Sequence, residues 1–99
     1  MEYKDPIVVS SDNYRLLLED GDFRLVEMFL PAGTSDIEHS HPNEMVYFLS
    51  GGKVRIHLPD AESIELDIPD GFAMKHEPWT HRVENIGATD IKAILFERK

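Results

Sequence analysis

Turn signals recur about every 8 to 12 residues along this chain, and no segment between them shows a long 3.6-residue period. The turns are Glu19-Asp20-Gly21-Asp22, Ser50-Gly51-Gly52, Pro59-Asp60-Ala61-Glu62 and Pro69-Asp70-Gly71. A helix needs ten or more uninterrupted residues to bury a useful face, so this punctuation excludes a helical domain. The stretches between turns read as strands. Residues 53–58 and 64–68 alternate polar and apolar side chains, the pattern of a half-buried strand. Residues 14–18 and 23–30 are rich in strand formers and flank an acidic, glycine-containing turn, which predicts a hairpin. Residues 45–49, 72–76, 81–84 and 91–97 supply the remaining strands, and Ile7-Val8-Val9 reads as an edge strand or an arm. The expected architecture is an all-β sandwich or barrel.

The 99 residues suffice for one domain spanning 1–99, with no room for a separate lid or cofactor domain. Nineteen acidic against ten basic residues give a net charge of −9, which repels phosphate backbones and anionic lipid surfaces. Neither nucleic acid nor a membrane is an expected partner. The chain has no recognition helix and no basic patch, which speaks against a transcription factor. The N-terminus lacks an apolar run behind a basic region, so a cytoplasmic location is expected. The absence of cysteine excludes disulfides, thiolate nucleophiles and cysteine-ligated metal sites. Any bound metal must suit nitrogen and oxygen ligands.

His39 and His41 are separated by one residue, which puts both imidazoles on one side of an extended segment. Neutral imidazole is the commonest metal ligand, and such a pair offers two adjacent corners of a coordination sphere. His81 follows forty residues after His41, behind the tight Pro78-Trp79-Thr80.

These residues resemble the motifs of the cupin superfamily, small jelly-roll β-barrels that hold a metal inside. The first motif is glycine, five residues, His-x-His, three or four residues, glutamate, six residues, glycine. Gly33, His39, His41, Glu44 and Gly51 match it, with only Pro42 and Asn43 between His41 and Glu44. The second motif is glycine, five residues, Pro-x-Gly, two residues, histidine, three residues, asparagine. Gly71, His81 and Asn85 fit its ends, while Glu77-Pro78-Trp79 replaces Pro-x-Gly with one residue fewer. The resemblance covers nearly the whole chain and implies a single cupin barrel, the double-stranded β-helix. It implies His39, His41, Glu44 and His81 as ligands of a divalent transition metal: iron, manganese, nickel, copper or zinc. The shortened loop leaves two geometries for Glu44. Strict alternation from the histidines sends Met45 and Tyr47 inward and Glu44 outward; a bulge or break at Pro42-Asn43 returns Glu44 to the histidine face.

Other candidates have plainer readings. His57 shares the Lys53 and Arg55 face of an alternating strand, where a solvated side chain is expected. His76 shares parity with Phe72 and Met74 and can face the cavity. Asn85 reads as a turn former, and Trp79 as a wall of the barrel mouth or an interface anchor. Lys75, Arg55, Arg82 and Lys92 are the candidates to meet a substrate carboxylate, though alternation points most of them outward. Residues 45–49 are apolar on both parities, so one face lines the barrel and the other calls for a cover, which predicts a homodimer.

Three functions fit the sequence. One is a metal-dependent enzyme acting on a small polar metabolite, for which the resemblance implies dioxygenase, isomerase, lyase or decarboxylase chemistry. Another is a non-catalytic module that binds a small ligand or a metal. The third is a barrel that uses metal only for its own stability.

Overall fold

In a computed structural model describing residues 2–99, one short helix precedes nine strands in two antiparallel sheets. The helix is α1 (Pro6–Val9) and the strands are β1 (Tyr14–Asp20), β2 (Phe23–Leu30), β3 (His39–His41), β4 (Asn43–Ser50), β5 (Gly52–His57), β6 (Ser63–Ile68), β7 (Ala73–His76), β8 (Trp79–Asn85) and β9 (Ile91–Arg98). The five-stranded sheet runs β1-β2-β9-β4-β7 and the four-stranded sheet runs β3-β8-β5-β6. Only β1–β2 and β5–β6 connect within a sheet; every other connection crosses from one sheet to the other. This is a jelly-roll barrel, within the all-β sandwich or barrel class that turn spacing and alternation predict, and the form that the family resemblance implies.

The two inner faces make the core. Val26, Leu30, Ile91, Ala93 and Leu95 from the larger sheet meet Val54, Ile56 and Val83 from the smaller one, all buried. The β1–β2 hairpin closes through Gly21-Asp22, with Asp20 paired to Phe23 and Gly21 at a φ of 59°, a value that favours glycine. Gly51, where the chain leaves β4 for β5, is required for space instead. A Cβ there would sit 1.9 Å from the Ile68 carbonyl oxygen.

One local expectation is corrected, and the choice left open for Glu44 is resolved. Ile7-Val8-Val9 is helical rather than a strand or arm. Asp5 accepts from the Ile7 amide at 3.2 Å and Pro6 occupies the first turn, so cap and proline outweigh the β-branched preference. The strict alternation that points Glu44 outward fails at Pro42. There the chain passes from the smaller sheet to the larger, parity is reset, and Glu44, Val46 and Phe48 face inward while Met45, Tyr47 and Leu49 face out. Those three outward side chains are 58%, 47% and 55% exposed. Among the described residues, no helix is long and apolar enough to cross a membrane.

Candidate metal centre

Two paired strands bring the three histidines together. β3 lies antiparallel to β8 with His39 opposite His81, and period-2 alternation adds His41 to the same inward face. Ring centroids are 4.6 Å apart for His39 and His41, 4.8 Å for His39 and His81, and 5.3 Å for His41 and His81. One potential ligand atom from each lies within 4.8 Å of the others, and all three side chains are buried.

Hydrogen bonds orient two of the rings. The Ile37 carbonyl accepts from His39 Nδ1 at 2.7 Å, which leaves His39 Nε2 as the bare nitrogen. His41 Nδ1 donates to Glu97 Oε2 at 2.6 Å. Three buried side-chain atoms among the described residues have no hydrogen-bond partner: His39 Nε2 and both nitrogens of His81. Burial, aided by the neighbouring His41, pushes His39 down to about 4, and burial with His39 and His41 holds His81 well below the usual histidine range. Both rings are therefore neutral at pH 7, the form that ligates metal. An unpartnered buried nitrogen costs about 1–3 kcal/mol. A divalent cation fits this donor set, because it supplies the partner those lone pairs lack.

Glu44 is buried beside the cluster without joining the three-histidine group. It gathers with His41 and Glu97, again within 4.8 Å. Its Oε2 accepts from Trp79 Nε1 at 3.0 Å, and its Oε1 lies 3.9 Å from His41 Nδ1. Burial raises the Glu44 carboxyl, so a nearby cation would favour its charged form.

The sequence reading missed Glu97. It is fully buried, with Oε1 accepting from Arg24 Nε at 2.6 Å and Oε2 holding His41. Burial works to raise its carboxyl, but His41 and Arg24 outweigh that and lower it. Arg24 in turn donates to Asp5 Oδ1 at 3.0 Å. The readable signal was parity. Glu97 follows Ile91, Ala93 and Leu95 on the inward row of β9, and Arg24 precedes Val26, Met28 and Leu30 on that of β2. Asp36, also unremarked in the sequence, accepts from Tyr14 Oη at 2.8 Å and from the Val83 amide at 2.7 Å, with its Oδ2 3.7 Å from His39 Nδ1. Burial pushes Asp36 up to about 6.

A comparison with models of protein families finds no match, and neither does one with curated proteins. Solved structures do match. A cupin domain from Bordetella pertussis Tohama I superposes with a TM-score of 0.78 over 100% of this chain and 98% of its own, at 18% identity. A cupin family protein with a double-stranded β-helix fold, from Methanocaldococcus jannaschii, has a TM-score of 0.66 over 86% of this chain and 77% of its own, at 14% identity. A predicted oxalate decarboxylase from Thermotoga maritima has a TM-score of 0.61 and 24% identity, covering 86% of this chain and 77% of its own. The chain has the cupin fold.

Inside this cupin barrel, a cavity of about 470 Å³ reaches His41, His81 and Glu44. His76 lines it, as its parity with Met74 allowed, and stacks on Trp79 with centroids 3.6 Å apart. Trp79 forms a wall and also touches His81, centroid to centroid 4.0 Å. The plain readings of the other residues hold. His57 pairs with Glu84 at 2.9 Å on the outer face. Asn85 is a buried clamp, donating to the Leu30 and Thr89 carbonyls and accepting from the Gly87 amide. Of the four cationic candidates, Arg55 pairs with Glu65, Arg82 donates to Ser35 and Lys92 lies over the Phe29 ring; Lys75 alone reaches the cavity, at its rim.

Proposed function

We propose that this cupin-fold protein is a metal-dependent enzyme acting on a small molecule. Its metal ligands are His39, His41 and His81, with Glu44 as the fourth through Oε1. The observation that carries this reading is the convergence of three buried histidines, two of them neutral with unpartnered nitrogens, beside a 470 Å³ cavity. A divalent transition metal here supplies Lewis-acid chemistry toward a substrate oxygen, water or dioxygen. The chain's own residues hold the site in shape: Ile37 and Glu97 set the His39 and His41 tautomers, and Trp79 holds Glu44. One structural neighbour is a predicted oxalate decarboxylase. Oxalate is a poor match for this chain, since so small a dianion leaves the apolar length of the cavity unfilled.

Metal content of tag-free protein, measured by mass spectrometry beside His39→Ala and Glu44→Ala, tests the assignment. Near-stoichiometric metal is expected in the wild type and its loss in His39→Ala; reduced occupancy in Glu44→Ala supports the fourth ligand. Wild-type protein that takes up none of the divalent ions after incubation with each rules the metal reading out. Unchanged occupancy in Glu44→Ala leaves a three-histidine site.

The protein is also proposed to work as a homodimer. The outward face of the five-stranded sheet supports this, with Met45, Tyr47 and Leu49 exposed beside Phe23 and Phe29.

A further inference from the structure

The cavity is walled very unevenly. Its buried wall comes from the inward rows of the sheets, including Val46 and Phe48 of β4 and Val54 and Ile56 of β5. Its rim comes from β6 and β7, the outermost strands of the two sheets, which do not pair with each other. On β6 the alternation is sharp. Ser63, Glu65 and Asp67 take one parity, while Ile64, Leu66 and Ile68 take the other and line the cavity. Ile64 and Leu66 are 45% and 44% exposed, so an apolar row faces the opening with no side chain over it.

Polar groups gather at one end. His41, His81, Glu44, His76 and Trp79 sit around the histidine cluster, and the Tyr14 hydroxyl is already committed to Asp36. Beyond them only Lys75 and Asp67 carry charge, both at the rim and both on the outward parity of their strands. A hydroxyl or phosphate on the body of a ligand would find no partner along this wall, and each unpartnered polar group buried there weakens binding. Apolar surface, in contrast, gains affinity in proportion to its length.

We propose that the site takes an amphipathic acid: one carboxylate-type oxygen head at the metal and a hydrocarbon body, alkyl or aryl, along the β5–β6 wall. The head rests on the metal reading given above; the body rests on the wall alone. Polyhydroxylated acids are excluded as substrates.

The probes are straight-chain carboxylates from acetate to octanoate, with gluconate as the hydroxylated match to hexanoate. They are titrated into nickel-loaded and metal-free protein, using calorimetry and the fluorescence of Trp79, the single tryptophan of the chain. In nickel-loaded protein, affinity should rise about fourfold for each added methylene until the tail reaches the rim. Hexanoate should bind far more tightly than gluconate. In Leu66→Asp, whose half-exposed edge position tolerates charge, the rise should flatten while nickel content stays unchanged. The wild-type hexanoate and gluconate comparison stands whether or not that variant folds. Affinity that ignores chain length, or favours gluconate, in protein that binds nickel overturns the proposal and leaves the metal reading intact. Protein that binds no nickel, yet binds longer acids more tightly in the metal-free arm, retains the wall and overturns the metal reading with the head assignment.

Discussion

Glu97 shows how much of the site depends on a residue outside the proposed ligand set. Its two oxygens are taken by Arg24 and His41, so it acts on the centre through the His41 tautomer, holding hydrogen on Nδ1 and leaving Nε2 for the metal. Glu97→Gln should weaken nickel or zinc binding by about 10- to 100-fold in competition titrations. It should also cost about 3 kcal/mol in urea unfolding, because buried Arg24 loses one of its two carboxylate partners. Unchanged metal affinity would remove Glu97 from the site. His39 carries the pH prediction. In metal-free protein the folded ring takes a proton near pH 4 and the unfolded one near 6.5. The unfolded state then binds more protons between those values, so stability falls as pH drops from 6.5 to 4. Relative to His39→Gln, which cannot titrate, the wild type should lose about 3 kcal/mol over that window in urea unfolding. A difference that does not change with pH would show that His39 charges as readily folded as unfolded. The histidines were legible because a pair on one strand and a third behind a tight turn form a spaced pattern. The inward parity of Glu97 was readable, but its role was not, because that lies in a contact 56 residues away across the barrel.

At the level of elements, local pattern carries within a strand and fails where a strand changes sheet. The alternation of β5 and β6 and the Gly21-Asp22 hairpin were readable because turn chemistry and period 2 act over a few residues. Pro42 was the point of failure. A parity count run through it sends Glu44 outward, yet β3 pairs with β8 and β4 with β7 and β9, so the two strands answer to different neighbours. The resemblance to a known motif kept Glu44 in view where periodicity alone discarded it. At the N-terminus the opposite happened, because three β-branched residues suggested a strand where Asp5 and Pro6 start a helix. That helix and the segment before it do more than fill space. Lys4 and Ser40 exchange main-chain and side-chain hydrogen bonds, 3.1 Å from the Lys4 amide to Ser40 Oγ and 2.7 Å from the Ser40 amide to the Lys4 carbonyl. Asp5 meets Arg24 as well. The segment thus braces β3 between its two histidines and, through Arg24, braces Glu97 from behind.

For the whole molecule, the outward face of the larger sheet sets the expected assembly. Strand register places Phe96 between Leu25 and Met45, and Ile94 between Glu27 and Tyr47. Phe23 stacks on Phe96 with centroids 5.2 Å apart. Apart from Glu27, which pairs with Arg15, these side chains form an apolar surface across β2, β9 and β4, and a contiguous exposed surface of this kind marks an interaction site. A second copy is the simplest cover, because a two-fold axis over β9 sets the same patch against itself. A stable interface of this type buries about 800 Å² per partner, and charged side chains such as Lys75, Lys92 and Arg98 already flank the apolar centre as a polar rim does. Light scattering at micromolar concentration should therefore give twice the 11.4 kDa chain mass. Tyr47→Lys, which places a charge near the middle of the patch and leaves the inward row of β4 untouched, should shift the protein to monomer with its metal content retained. A wild-type monomer at that concentration would mean that this sheet face stays exposed in solution.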